Sequence, residues 1–129
     1  MPVKQKILVI DDDEHIIKLL AVVLGNSGYE IAVAAGPAEG LGLAFKNKFD
    51  LIILDLLMKP IDGLDVLTQL RKDNSTKSVP VLMLTVADQI KDIDAAQNSG
   101  ATAYMAKPIN VARLQAKVAQ LLDVSAPGQ

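Results

Sequence analysis

The sequence predicts an α/β fold of five strand–helix units, a doubly wound parallel sheet with helices on both faces. Three observations predict it. Five short apolar runs, at residues 7–10, 29–34, 51–54, 81–85 and 102–105, are too short for helices and rich in β-branched or large aliphatic side chains. The segments between them carry apolar residues at spacings of three and four, and Gly, Pro and Asn stand at the junctions. Regular alternation of this kind implies parallel strands joined by right-handed crossovers.

Taken in order, the first strand is followed by Ile16, Leu19, Leu20 and Val23 at helical spacing, with Gly25 and Gly28 ending that helix. After the second strand, Pro37 suits the first turn of a second helix, where a missing N–H is harmless. Leu64, Leu67 and Leu70 mark the third helix, and the polar stretch 74–80 leads into the fourth strand. Ile90, Ile93 and Ala96 predict a fourth helix closed by Gly100. Asn110 is a candidate cap for a fifth, marked by Leu114, Val118, Leu121 and Leu122. The domain is expected over 1–124, with 125–129 a flexible tail or the start of a linker.

Composition narrows the function. The 129 residues are half apolar but only 3% aromatic, so the core must be aliphatic. A net charge of −2 gives no basic face for a nucleic acid. The absence of cysteine excludes disulfides, thiolate metal sites and thiol nucleophiles, and it is compatible with a cytoplasmic location. No apolar run reaches membrane-spanning length.

Open parallel sheets bind ligands beyond the carboxyl ends of their strands. There the sequence places Asp11-Asp12-Asp13-Glu14 after the first strand, Asp55 after the third, Thr85 at the end of the fourth and Lys107-Pro108 after the fifth. Asp13 and Glu14 read as caps of the following helix. Thr85 and Lys107, taken singly, fit an ordinary strand residue and a solvated lysine. Asp55 is different, because it directly ends the apolar run Leu51-Ile52-Ile53-Leu54. Carboxylates gathered there repel by about 4 kcal/mol per pair at 4 Å and an effective dielectric near 20. A divalent cation would relieve that. Carboxylates, a carbonyl and water suit Mg²⁺ (or Mn²⁺), whereas zinc would prefer His or Cys and the chain offers one histidine, His15. With such a cation, a carboxylate can act as a nucleophile toward phosphorus, and Thr85 and Lys107 would serve the phosphoryl oxygens.

The segments Ile7-Leu8-Val9-Ile10-Asp11-Asp12, Asp50-Leu51-Ile52-Ile53-Leu54-Asp55, Met58, Asp62-Gly63-Leu64, Val81-Leu82-Met83-Leu84-Thr85 and Tyr104-Met105-Ala106-Lys107-Pro108 resemble, in order and spacing, the receiver domains of two-component response regulators. The resemblance covers essentially the whole chain. It implies the flavodoxin-like sheet order 2-1-3-4-5, an order that general knowledge of one such regulator already supplies. It also implies a signalling switch without enzymatic turnover. In it, Asp55 is the phosphoacceptor, Asp12 a direct Mg²⁺ ligand, Asp11 a ligand through water, and Leu57 a donor of its backbone carbonyl. Thr85 and Lys107 bind the phosphoryl group, and Tyr104 turns inward as the threonine moves. The implied partners are a sensor histidine kinase or phosphotransfer protein, and an output domain or partner protein. The output surface is the face of the fourth helix, fifth strand and fifth helix. Direct nucleic-acid or membrane binding by this domain is not expected, and a phosphorylation-dependent dimer is compatible with the resemblance.

The departures concern access and lifetime. The family usually reads Met-Pro after the phosphoacceptor. Here the order is Met58-Lys59-Pro60, which puts a positive charge near the site. Val86 stands where alanine is usual and narrows the approach for phosphodonors. Leu57 and Ala87 occupy positions where many receivers carry polar groups that orient hydrolytic water, which implies slow autodephosphorylation. Ile109, and Thr102-Ala103, differ from the pattern of the winged-helix subfamily. Three rival readings stand beside this one. The first is an unphosphorylated scaffold. The second is a haloacid-dehalogenase-type phosphatase, whose motif would need Asp where Leu57 stands. The third is a flavodoxin, which would need a Ser/Thr/Gly-rich phosphate loop.

Overall fold

A computed structural model describes residues 4–86 and 100–125, with side chains through 123. Its elements are β1 (Lys6–Ile10), α1 (Glu14–Asn26), β2 (Glu30–Ala34), α2 (Pro37–Lys46), β3 (Leu51–Asp55), α3 (Gly63–Lys72), β4 (Val81–Val86), β5 (Ala103–Lys107) and a C-terminal helix (Val111–Ser125). The expected helix around Ile90, Ile93 and Ala96 lies outside the described residues, as does Ala87.

The five strands are all parallel and ordered β2-β1-β3-β4-β5. Their side chains alternate strictly between two apolar layers, as a period of two demands. Leu8, Ile10, Ile52, Leu54, Val81 and Met83 face the layer completed by Val66, Leu67 and Leu70 of α3 and by Leu41 and Ala44 of α2. Ile7, Val9, Leu51, Ile53, Leu82 and Leu84 face the layer of Leu20 and Leu24 of α1, with Leu114, Val118, Leu121 and Leu122 of the C-terminal helix. Because β1, β3 and β4 are covered on both sides, their sequences read as unbroken apolar runs.

Local chemistry sets the helix ends. Asp13 caps α1 by accepting from the His15 N–H at 2.9 Å, Asp62 caps α3 through Asp65 at 3.0 Å, and the Asn110 side chain accepts from Arg113 at 3.0 Å. Pro37 opens α2. Gly25 does not end α1. The helix runs through it to Asn26, and the reversal falls on Gly28, whose φ of +98° suits a residue without Cβ. The last helix reaches Ser125, one residue beyond the expected boundary. Thr102 precedes β5 instead of opening it. Its N–H donates to the Val81 carbonyl at 2.9 Å, and its hydroxyl accepts from the Val81 N–H at 3.0 Å, so side chain and backbone together align β5 with β4.

Two contacts hold the segment after β3. The Leu56 N–H donates to Leu84 at 2.8 Å, and the Gly63 N–H donates to the Leu56 carbonyl at 2.8 Å. Gly63 sits so close that a Cβ there would lie 2.8 Å from Leu56 Cα and would collide with the Asp55 carbonyl. Backbone cannot yield as a side-chain tip can. Gly63→Ala is therefore expected to destabilise the fold by on the order of 1–3 kcal/mol, measured by urea denaturation. A variant as stable as wild type would show that α3 can retreat freely.

Candidate functional site

The carboxyl edge of the sheet collects the predicted polar residues because β1 and β3 end in register and β5 runs two residues further, which lets Lys107 reach back over both. Asp11 follows Ile7 and Val9 in the strand alternation, Asp55 follows Leu51 and Ile53, and Lys107 follows Ala103 and Met105, all facing the layer of α1 and the C-terminal helix. Chain positions 96 and 52 residues apart thus meet. The Lys107 ammonium donates to Asp11 Oδ2 at 3.2 Å and to Asp55 Oδ1 at 3.1 Å.

Asp11 is fully buried and held at three points. Its N–H donates to the Ala34 carbonyl at 3.1 Å, its Oδ1 accepts from the Asp13 N–H at 2.9 Å, and its Oδ2 takes the lysine. Asp55 is 4% exposed, and its Oδ1 also accepts from the Leu57 N–H at 3.4 Å, a long bond. Asp12 is exposed, at the rim. One carboxylate oxygen from each of Asp11, Asp12 and Asp55 lies within 4.8 Å of the others. Three hard oxygen donors around one point, with excess negative charge, suit a hard divalent cation such as Mg²⁺ better than a soft one.

Burial, reinforced by the neighbouring Asp11 carboxylate, pushes the Asp55 carboxyl up to about 6, against the opposing pull of Lys107. For Lys107, burial works against the charge, but Asp11 and Asp55 outweigh it and hold the ammonium above its ordinary value. The residue is a half-buried counterion and not the solvated lysine it resembles when taken singly.

Thr85 is 4% exposed, and its hydroxyl donates to the Val86 carbonyl at 3.3 Å. Met83 pairs with Tyr104 and Thr85 with Ala106, so Thr85 and Tyr104 share the opposite sheet face from Lys107, two strand positions apart. Tyr104 is half-buried against the layer of α2 and α3. Leu57 and Lys59 are exposed in the loop after β3, while Met58 between them is buried. Val86 is half-buried.

Two supporting residues had no role in the sequence reading, although Gly63 stands in the quoted Asp62-Gly63-Leu64 segment. Gly63 permits the close approach of α3 to the Asp55 backbone. Arg71 donates to the carbonyls of Gly100 at 2.9 Å, Thr76 at 3.2 Å and Val79 at 2.7 Å, fastening the entries of β4 and β5 to α3. A Gly after Asp in a loop hinted at the first. Nothing local marks the second, whose partners are set by tertiary packing.

Comparison with known proteins points one way. The response regulator receiver domain family matches residues 7–119. The chain is 41% identical over 117 residues to the DNA-binding dual master transcriptional regulator RpaA of Synechocystis sp., covering 91% of this chain and 48% of that protein. It is 38% identical over 126 residues to the alkaline phosphatase synthesis transcriptional regulatory protein PhoP of Bacillus subtilis, covering 95% and 52%. The chain therefore spans about half the length of these relatives. Among solved structures, it is similar to the chemotaxis protein CheY4 of Vibrio cholerae, with a TM-score of 0.88, 30% identity, and coverage of 92% of this chain and 99% of that one. A two-component response regulator from Clostridium difficile gives a TM-score of 0.86 at 34% identity, with coverage of 93% and 97%.

The elevated carboxyl of Asp55 carries a stability consequence. Between its unfolded value of 3.8 and its folded value of about 6, the folded state holds the proton and the unfolded state does not, so stability falls as pH rises through that window. Asp55→Asn removes the effect. In EDTA it is expected to be more stable than wild type at pH 7–8 by ~1–3 kcal/mol, with the gap closing as pH falls toward 4. Urea melts across pH would show this. A gap that stays constant with pH would count against it.

Proposed function

This chain belongs to the response regulator receiver domain family, and on that premise we propose that Asp55 is the phosphoacceptor of its phosphorylation-activated signalling switch. The observation that carries the reading is a buried carboxylate at the end of a central strand, bonded to Lys107 and grouped with Asp11 and Asp12. Family membership sets aside the phosphatase and flavodoxin readings.

In the proposed reaction, a carboxylate oxygen of Asp55 forms a bond to phosphorus. The bond from phosphorus to the imidazole nitrogen of a kinase or phosphotransfer histidine, or to the acyl oxygen of a small donor, breaks with its electron pair. Asp55 must be ionised to react, and near pH 7 it is mostly so, since its carboxyl titrates at about 6. Asp12 and Asp55 would hold Mg²⁺ directly, Asp11 through water, and Leu57 through its backbone carbonyl. When bound, the ion supplies positive charge to the phosphoryl oxygens. Lys107, already 3.1 Å from Asp55 Oδ1, would pass to a phosphoryl oxygen. The Thr85 hydroxyl, which now donates to the Val86 carbonyl, would turn to another. Its shared face with Tyr104 gives that movement a route to the edge strand.

The readout belongs to the surface of β5 and the C-terminal helix, together with the fourth helix that the sequence predicts. The phosphodonor is a sensor histidine kinase or phosphotransfer protein, and the target is an output domain or partner protein. Because this chain covers about half of RpaA and PhoP, and both are named as transcriptional regulators, an attached output unit fits the reading. Among the described residues no helix is long and apolar enough to cross a membrane. The place proposed for the switch is the cytoplasm. It is not an enzyme in the turnover sense, because the phosphoryl group stays on the protein. Leu57 and Ala87 offer no side-chain hydrogen bond to hydrolytic water, so autodephosphorylation is slow.

Intact-mass spectrometry after incubation with Mg²⁺ and acetyl phosphate tests the acceptor. One phosphoryl group is expected on wild type, and none on Asp55→Asn or in EDTA. Modification that survives in Asp55→Asn would place the acceptor elsewhere. The same assay followed in time tests the lifetime. Leu57→Asn is expected to lose the group severalfold faster than wild type, and equal decay would remove Leu57 from the explanation.

A further inference from the structure

Lys59 is an exposed cation without a hydrogen-bond or ion-pair partner among the described residues. Its backbone is nonetheless fixed. Leu56 is tied to Leu84, Gly63 to Leu56, and the Met58 side chain is buried in the apolar layer beside it. The lysine side chain, with no partner among the described residues, lines two depressions. One, of about 270 Å³, is formed with Asp12, Leu57 and Met58 at the mouth of the carboxylate site. The other, of about 520 Å³, lies against the start of α2 and Pro60–Ile61.

Charge balance gives this position a consequence. Asp11, Asp12 and Asp55 with Lys107 leave two negative charges in excess, which a bound divalent ion cancels. A phosphoryl dianion on Asp55 replaces one carboxylate charge with two, and one negative charge is then uncompensated. The charge of Lys107 is already counted in that balance. Lys59, unpaired among the described residues, shares a depression with Asp12.

We propose that Lys59 is a specificity-determining cation of the phosphorylation site, drawing in anionic phosphodonors and offsetting the aspartyl phosphate while weakening resting Mg²⁺ binding. The inference rests on Asp55 as acceptor. One charge acts with opposite signs on two ligands, repelling the metal and attracting the phosphoryl group. A merely solvated lysine would do neither, and a merely structural one would move both the same way.

The test compares wild type, Lys59→Met, which keeps the apolar stem, and Lys59→Arg, which keeps the charge. Calorimetric titration with Mg²⁺ alone at low salt is expected to show Lys59→Met binding about two- to fivefold more tightly. By intact mass, its modification by acetyl phosphate is expected to be about two- to fivefold slower. Its modification by phosphoramidate, whose protonated nitrogen lowers the net negative charge, should slow less. Lys59→Arg should match wild type, and all differences should shrink in high salt. Unchanged Mg²⁺ affinity, or metal and donor effects of the same sign, overturns the proposal alone. A wild type that takes up no phosphoryl group from either small donor or from a phosphohistidine donor overturns the Asp55 reading and this proposal with it.

Discussion

One ammonium shared between two buried carboxylates organises the carboxyl edge of this protein. Lys107 lies 3.1–3.2 Å from both Asp55 and Asp11, and without it two like charges would stand together at the end of an aliphatic core. Burying such charges is tolerated only when partners satisfy them. Here every buried side-chain nitrogen and oxygen among the described residues has a partner. The lysine does not complete the neutralisation, however. Asp12 at the rim leaves the cluster negative, and the Asp55 carboxyl is still pushed up to about 6. A site left in partial electrostatic debt favours whatever positive charge arrives, which is the physical basis for reading it as a cation-dependent centre.

The geometry of that edge depends on backbone contacts as much as on charge. The chain after β3 folds back on itself through Leu56 and Gly63, and the absence of a side chain at Gly63 lets α3 press against the Asp55 carbonyl. Met58 plugs the loop into the core, leaving its neighbours Leu57 and Lys59 facing outward. Farther away, Arg71 ties together the strand entries opposite the site, burying its guanidinium against three carbonyls. Burial lowers the pKa of that group, yet its fork of donors matches the available acceptors. Chemistry at one end of the sheet thus stands on a clamp at the other.

The two sheet faces divide the labour. Asp11, Asp55 and Lys107 face the layer of α1 and the C-terminal helix, whereas Thr85 and Tyr104 face the other. A phosphoryl group at the sheet's edge can be contacted from both. Movement of the Thr85 hydroxyl away from the Val86 carbonyl would be felt by the tyrosine on its own face, and much less by Asp11 and Asp55 on the other. On the proposed reading, this separation would let one set of groups do chemistry while another set reports it.

Alternation of short aliphatic runs with helically spaced ones was enough to establish the strand–helix order, because burial on both sheet faces forces β1, β3 and β4 to be continuously apolar. Asp11, Asp12, Asp55, Thr85 and Lys107 were legible as candidates because parallel topology sends every strand's carboxyl end to the same edge. Caps at Asp13 and Asn110 and the opening Pro37 were equally plain, since each acts on neighbours a few residues away. The end of α1 was misread at Gly25, because a glycine inside a helix and one that ends it differ only in backbone angle, which the chain's surroundings select. Tertiary structure alone decided that Lys107 is a half-buried counterion to two carboxylates, that Gly63 must lack a Cβ, that Arg71 is a clamp, and that Lys59 has no partner among the described residues. Each of these depends on distances between residues far apart in the chain, and periodicity and local propensity carry no information about such distances.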